Sequence, residues 1–199
     1  MQSVASDVCK DLILYDDPTD NRFRELIPLA RDYPMLLQIM IATSAMRMSH
    51  ASQKLAWSSH ATTGLVYQGT NVTAPQHQDL VACSRAQSHA LVAKYKALNL
   101  LQSALSGETA TDLDVTLAVV LLFVEFELLV SGRDDWTHHL DGARRIIEKL
   151  CGSNSVTART MSPLRKCLVA NCLVYVESLV SRGTPLIFRQ LRYTWISIA

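Results

Sequence analysis

Apolar side chains recur every three or four positions along most of this chain, the period of helices that bury one face. Residues 1–20 lack that pattern and read as an extended lead-in, closed by Asp16-Asp17-Pro18. A short helix is predicted from Asn21 to Arg31, broken around Pro28. Pro34 suits the first turn of a longer helix, where its missing N–H does no harm. On that helix Leu36, Leu37, Met40, Ile41 and Ser44 share one face. The stretch Ser58 to Pro75 is rich in small and hydroxyl residues, has little periodicity, and reads as a loop. A second long helix is predicted over about Gln78 to Ser106, with Gly107 just past its end. Its buried side is predicted to carry Leu80, Cys83, Ser84, Gln87, Leu91, Tyr95, Leu98 and Leu101.

Leu113 to Val130 is apolar on every side, with Thr111 or Asp112 as cap and Asp114 near the positive end. A helix apolar all round belongs in the centre of its domain, so this one is predicted to be the most buried element. Asp114, Glu125 and Glu127 leave it a charge-free run far shorter than the ~20 residues of a membrane span. Ser131-Gly132 end it, and Asp134 is the predicted N-cap of a helix from Asp135 to Leu150. Trp136, Leu140, Ala143, Ile147 and Leu150 share one face of that helix, while Arg144, Arg145, Glu148 and Lys149 point largely elsewhere. Gly152 closes it, and a polar loop from Ser153 to Ser162 leads to Pro163 and a last helix. The final run, Leu186 to Ala199, mixes β-branched and aromatic residues and is compatible with helix or irregular structure. The pattern defines an all-α fold, an irregular array of about six helices with no sheet.

Composition supports helices over strands. The 199 residues include only 7 glycines and 6 prolines, too few turn formers for an all-β fold. Hydrophobic residues make up 49% and charged residues 19%, which fits one domain with a sizeable core. A net charge of +1 gives no general pull toward nucleic acid or an anionic membrane. The N-terminus has no basic segment or long apolar run and is not a signal peptide, so the sequon Asn71-Val72-Thr73 is expected to be silent.

Candidate chemistry is sparse. Cys9, Cys83, Cys151, Cys167 and Cys172 form no C-x-x-C pair, and read as free thiols rather than a disulfide or zinc framework. His138 and His139 are adjacent on a helix, point about 100° apart, and lack a ligand four residues on. His139 is therefore read as a packing and hydrogen-bonding residue. Asp134-Asp135 could suggest the magnesium site of a terpene synthase, but no carboxylate follows one helical turn later, and capping explains Asp134 better. No nucleophile elbow, zinc-protease motif, phosphate loop or dinucleotide glycine pattern is present. Met35, Met40, Met46 and Met48 lie along one helix as adaptable core or, alternatively, pocket lining. Arg182, Arg189 and Arg192 interleave with Phe188, Tyr193 and Trp195, too few charges for a nucleic-acid site. No catalytic residue, cofactor or metal ligand is predicted.

Gly142 sits in mid-helix, where it costs ~1 kcal/mol relative to alanine. Together with Ala143 it predicts a close helix crossing at that point. The segment His139-Leu140-Asp141-Gly142-Ala143, preceded by Trp136 and an apolar helix, resembles a signature of fungal-specific transcription factor domains, the helical regulatory domains of fungal zinc-cluster transcription factors. The match falls on His139, Leu140, Gly142 and Ala143. Phe23 to Ala30, then Tyr33 to Leu37 and an Ile-Ala-Thr-Ser-Ala helix, resemble the family's opening, and Lys166 to Pro185 resembles the helix after the signature. The resemblance runs in order from about residue 20 to 186, and implies a partial helical regulatory domain over 21–183, with 1–20 and 184–199 outside it. The six-cysteine zinc cluster of that family is missing, since only Cys9 lies in the first eighty residues. The family's helical domain also usually continues further, and the run after Thr184 does not resemble it.

The resemblance implies a non-enzymatic, nuclear regulatory module that acts through protein partners, self-association or a small apolar effector, without direct DNA contact from this chain. The alternative is a helical domain sensing an apolar metabolite, with the methionines lining its pocket. Without the resemblance, the cytoplasm is the default location.

Overall fold

The computed structural model describes residues 21–63, 74–107, 112–130, 136–152 and 162–181. Among them the chain forms a 3-10 turn, Arg22–Glu25, and six α-helices: α1 (Leu26–Leu29), α2 (Pro34–Thr63), α3 (Ala74–Ser106), α4 (Leu113–Val130), α5 (Thr137–Gly152) and α6 (Pro163–Ser181). No strand occurs among the described residues.

Helix starts follow local chemistry. Asn21 Oδ1 accepts the Phe23 N–H at 3.0 Å and opens the 3-10 turn. Pro28 lies within the single turn of α1 rather than breaking it, because its absent N–H falls where a first turn has no carbonyl to pair with. Pro34 is the first residue of α2. Asp112 caps α4, accepting from the N–H groups of Asp114 and Val115. Ser162 Oγ accepts the Arg165 N–H and caps α6.

The predicted loop from Ser58 to Pro75 is helical at both ends, since α2 continues to Thr63 and α3 begins at Ala74, and residues 64–73 lie outside the described residues. Serine and threonine lower helix propensity by only about half a kcal/mol each, too little to stop an established helix. The predicted caps Thr111 and Asp134, the dipeptide Ser131-Gly132 and the lead-in 1–20 lie outside the described residues, as do most of the Ser153–Ser162 loop and the segment 184–199.

α4 occupies the centre. Twelve of its 18 residues are buried, from Val115 through Glu127, and α1, α2, α5 and α6 all pack around it. The core it organises includes Phe23 and Leu26 from the opening turns, Leu36, Ile39 and Met40 from α2, and Leu168 from α6. Met35 and Met46 are also buried, whereas Met48 faces solvent. The methionines of α2 therefore fill core space, apart from the last.

α3 is an outer helix whose main partner is α2. Its buried side is the predicted one only in part: Cys83 and Leu101 are buried and Leu98 is partly buried as predicted, but the rest of the face differs. Cys83, Ala90, Ala93, Ala97 and Leu101 face inward, and Ser84, Leu91 and Tyr95 are exposed. Leu80 lies outside the residues whose side chains are described. Small side chains allow two helix backbones to approach closely, so the middle of the seam takes Ala90, Ala93 and Ala97 and turns Leu91 and Tyr95 outward. A contact near the start of this seam fixes the register: Ser49 Oγ lies 2.9 Å from Cys83 Sγ.

Candidate functional site

The signature segment begins in the turn entering α5. Trp136 is 2% exposed and packs with Val124, Leu140, Leu128 and Tyr175 in a cluster beside the main core. Its ring lies 6.4 Å from that of Tyr175. The indole Nε1 is buried without a hydrogen-bond partner among the described residues. Leu140, Ala143, Ile146 and Ile147 continue the buried face of α5. Leu150 is partly buried against it.

His139 stacks on Phe123 of α4, with ring centroids 5.2 Å apart and planes 17° from parallel. Its Nε2 lies 3.7 Å from Glu127 Oε1, close enough for charge attraction but beyond a hydrogen bond. Burial holds the imidazolium below its ordinary range, and this outweighs the opposing pull of Glu127. The ring packs against Phe123, and the predicted hydrogen-bonding role is met only by the charge contact with Glu127 at 3.7 Å.

Gly142 contradicts its predicted role. No described atom beyond its own helical surroundings lies within 4 Å of the position a Cβ would take. The residue is half-buried at the edge of the apolar face, while the neighbouring Ala143 is the one pressed into the core. Of the two small residues only Ala143 is buried in the core, because the 100° rotation between neighbours carries Gly142 to the edge of the face.

In the sequence Glu125 and Glu127 stand as interruptions of an apolar run, and Asp114 as a charge at the positive end of its helix. In the fold they are ties to other helices. Asp114 forms a bidentate pair with Arg165 of α6, at 2.6 and 3.0 Å. Glu125 pairs with Arg47 of α2 and accepts the Tyr175 hydroxyl of α6 at 2.8 Å. Glu127 is buried, pairs with Lys94 of α3, and sits beside His139 of α5. The Lys94 ammonium also lies 5.2 Å from the centroid of the Phe126 ring. A signal for these ties was present in the sequence: a carboxylate on a helix covered all round must find a partner or stay neutral.

The remaining candidates for reactive chemistry are inert or absent from view. Burial pushes the Cys172 thiol up to about 12, so it is not a thiolate nucleophile. Burial and the Glu125 carboxylate also raise the Tyr175 phenol above its ordinary value. Among the described residues no group of three His, Cys, Asp or Glu could hold a metal ion. No helix among them is long and apolar enough to cross a membrane. Asp134, Asp135, Arg182, Arg189 and Arg192 lie outside the described residues.

An all-helical array around one apolar helix, with the Trp136 cluster beside its core, defines a non-repetitive all-α domain among the described residues. The chain belongs to the fungal specific transcription factor domain family, whose profile matches residues 5–196. That match takes in most of the lead-in and of the C-terminal segment. The chain is similar to the acriflavine sensitivity control protein acr-2 of Neurospora crassa, with 33% identity over 175 residues. The aligned region covers 88% of this chain and 26% of that protein, so the chain spans about a quarter of its relative's length. No solved structure matches.

Proposed function

We propose that this chain is a regulatory and interaction module of a fungal transcription regulator, working in the nucleus through protein partners and not as an enzyme. The observation that carries this reading is the outer side of α3. Val81, Leu91, Val92 and Tyr95 are 45%, 51%, 54% and 66% exposed, on the side opposite the alanine seam. Scattered exposed apolar residues are ordinary, but a row of them along one helix face marks a contact surface. The net charge of +1 supports partners over nucleic acid. The segment from Trp136 to Ala143 serves this module structurally, holding α5 against α4. Sensing of an apolar metabolite is less well supported, because Met35, Met40 and Met46 are buried in the packed core.

A tethering experiment tests the reading. Residues 1–199 fused to an unrelated DNA-binding domain are expected to change transcription of a reporter carrying the matching sites. An unchanged reporter, with the fusion protein accumulating in the nucleus, would overturn the proposal. The purified chain alone is expected to give no salt-dependent, sequence-selective shift of a DNA duplex.

A further inference from the structure

We infer that the outer face of α3 docks an acidic amphipathic helix of a partner protein. This deepens the partner-directed reading above and rests on it.

The shape of the surface selects the form of the partner. Val81, Leu91, Val92 and Tyr95 fall on the side of α3 away from Ala90, Ala93 and Ala97, and all four are exposed. From Val81 to Tyr95 the row runs about 21 Å along the axis, at 1.5 Å per residue, with Ser84, Arg85 and Ser88 exposed between Val81 and Leu91 on the same side. A long, narrow, convex row of side chains is matched by the ridges and grooves of another helix. Strand addition requires a free sheet edge, and the described residues contain no strand.

The charge of the surface selects the chemistry of the partner. Arg85, His89 and Lys96 are exposed and form a second row along one flank of the apolar one, within about 60° of Val92 in helical projection. Residues 81–106 contain no aspartate or glutamate. Lys94 is already committed to Glu127, while Arg85 and Lys96 make no ion pair among the described residues. A helix with leucine-like anchors and a carboxylate flank would satisfy both rows at once. A basic helix would be repelled. A second copy of the chain would press two acid-free surfaces together, bringing nothing to meet Arg85 and Lys96.

The test uses the whole 199-residue chain and a fluorescent, helix-stapled synthetic peptide. The peptide carries leucine at i, i+3, i+4 and i+7 with glutamate along one flank, and its control carries lysine in place of glutamate. Fluorescence anisotropy is expected to show the acidic peptide binding about tenfold or more tightly than the control, with affinity falling as salt rises. The variant Leu91→Asp with Tyr95→Asp should weaken binding by roughly tenfold or more. The variant Arg85→Glu with Lys96→Glu should reverse the preference between peptides. All four side chains are exposed, so circular dichroism should show both variants folded. Equal binding of the two peptides, or no binding by the unaltered chain, would overturn the proposal. So would a dimer, seen by light scattering, that Leu91→Asp dissolves, because it would assign the face to a second copy. Failure here with a responsive tethered reporter would sink this surface alone, whereas a silent reporter would sink the broader reading.

Discussion

Glu127 and Lys94 give a sharp test of how this domain is held together. The Glu127 side chain is 11% exposed and that of Lys94 is 23% exposed, so the pair is largely but not wholly removed from water. Opposite charges in contact attract by roughly 4 kcal/mol at an effective dielectric near 20. Desolvating each ion costs several kcal/mol, so the intact pair is close to neutral in its net effect. Its asymmetry appears when one partner is removed. Lys94→Met keeps the aliphatic stem but takes the lysine cation from the buried Glu127, and burial disfavours the cationic form of the neighbouring His139. We expect a loss of about 3 kcal/mol, at the low end for breaking a buried pair because some water reaches this one. Glu127→Met leaves Lys94, which has the reach to swing its ammonium to solvent, and should cost about 1 kcal/mol.

The double variant decides the matter. With both charges replaced by apolar groups of similar volume, the loss should be about 1 kcal/mol instead of the ~4 kcal/mol sum, a coupling of roughly 3 kcal/mol. Urea denaturation followed by far-UV circular dichroism measures all four corners of the cycle, provided each transition is two-state. Added salt should change the coupling little, because a buried pair is poorly screened. A double variant as unstable as the sum of the singles would refute the reasoning, since the two residues would then act independently.

Three further outcomes are expected. Gly142→Ala should stabilise the chain by up to ~1 kcal/mol, because open space at that position lets alanine gain helix propensity without a clash; a denaturation midpoint below that of the unaltered chain would contradict it. His139 is held below its ordinary value of 6.5 in the fold, so the unfolded chain binds its proton first as pH falls. Its contribution is therefore complete above that value and is lost as pH drops through the lower folded-state value, and His139→Gln should flatten this part of a stability–pH profile. Leu122→Ala removes a fully buried side chain from α4 and should cost about 2–5 kcal/mol by chemical denaturation.

Much of the fold was legible because its strongest signals are periodic. Leu113 to Val130 has no polar face, and the only place for such a helix is the middle. Pro34, Asp112 and Pro163 mark helix starts by backbone chemistry that tertiary packing does not overrule. The orientation of α3 was not legible in the same way. Its sequence carries two candidate stripes, one of alanines and one of larger apolar residues, and transfer free energy favours burying the larger. The winner was decided by a property outside the helix itself, the packing against α2, which takes alanine at Ala90, Ala93 and Ala97 and turns Leu91 outward. Gly142 failed for a related reason. Its cost in mid-helix is real, but only the neighbour's position tells whether that cost is offset by contact, and here the contact falls on Ala143.

The two acids near the end of α4 connect these observations. Glu125 and Glu127 are two residues apart, which places them about 200° apart around the helix. One side therefore reaches Arg47 of α2 and Tyr175 of α6, and the other reaches Lys94 of α3 and His139 of α5. Apolar burial alone would hold four helices around α4 in many rotational settings, because its surface is much the same all round. Each carboxylate removes that freedom, since a buried charge tolerates only the setting that presents its cation. For α3 the consequence reaches the surface. Lys94 must point toward Glu127, and Ala93 and Ala97 lie beside it on the inward side. Tyr95 is then forced outward by the helical period, and Val92 and Lys96 with it. The same tie that fixes α3 against the core therefore sets which residues it presents to a partner, so losing the Lys94–Glu127 pair should disturb docking on the outer face as well as stability.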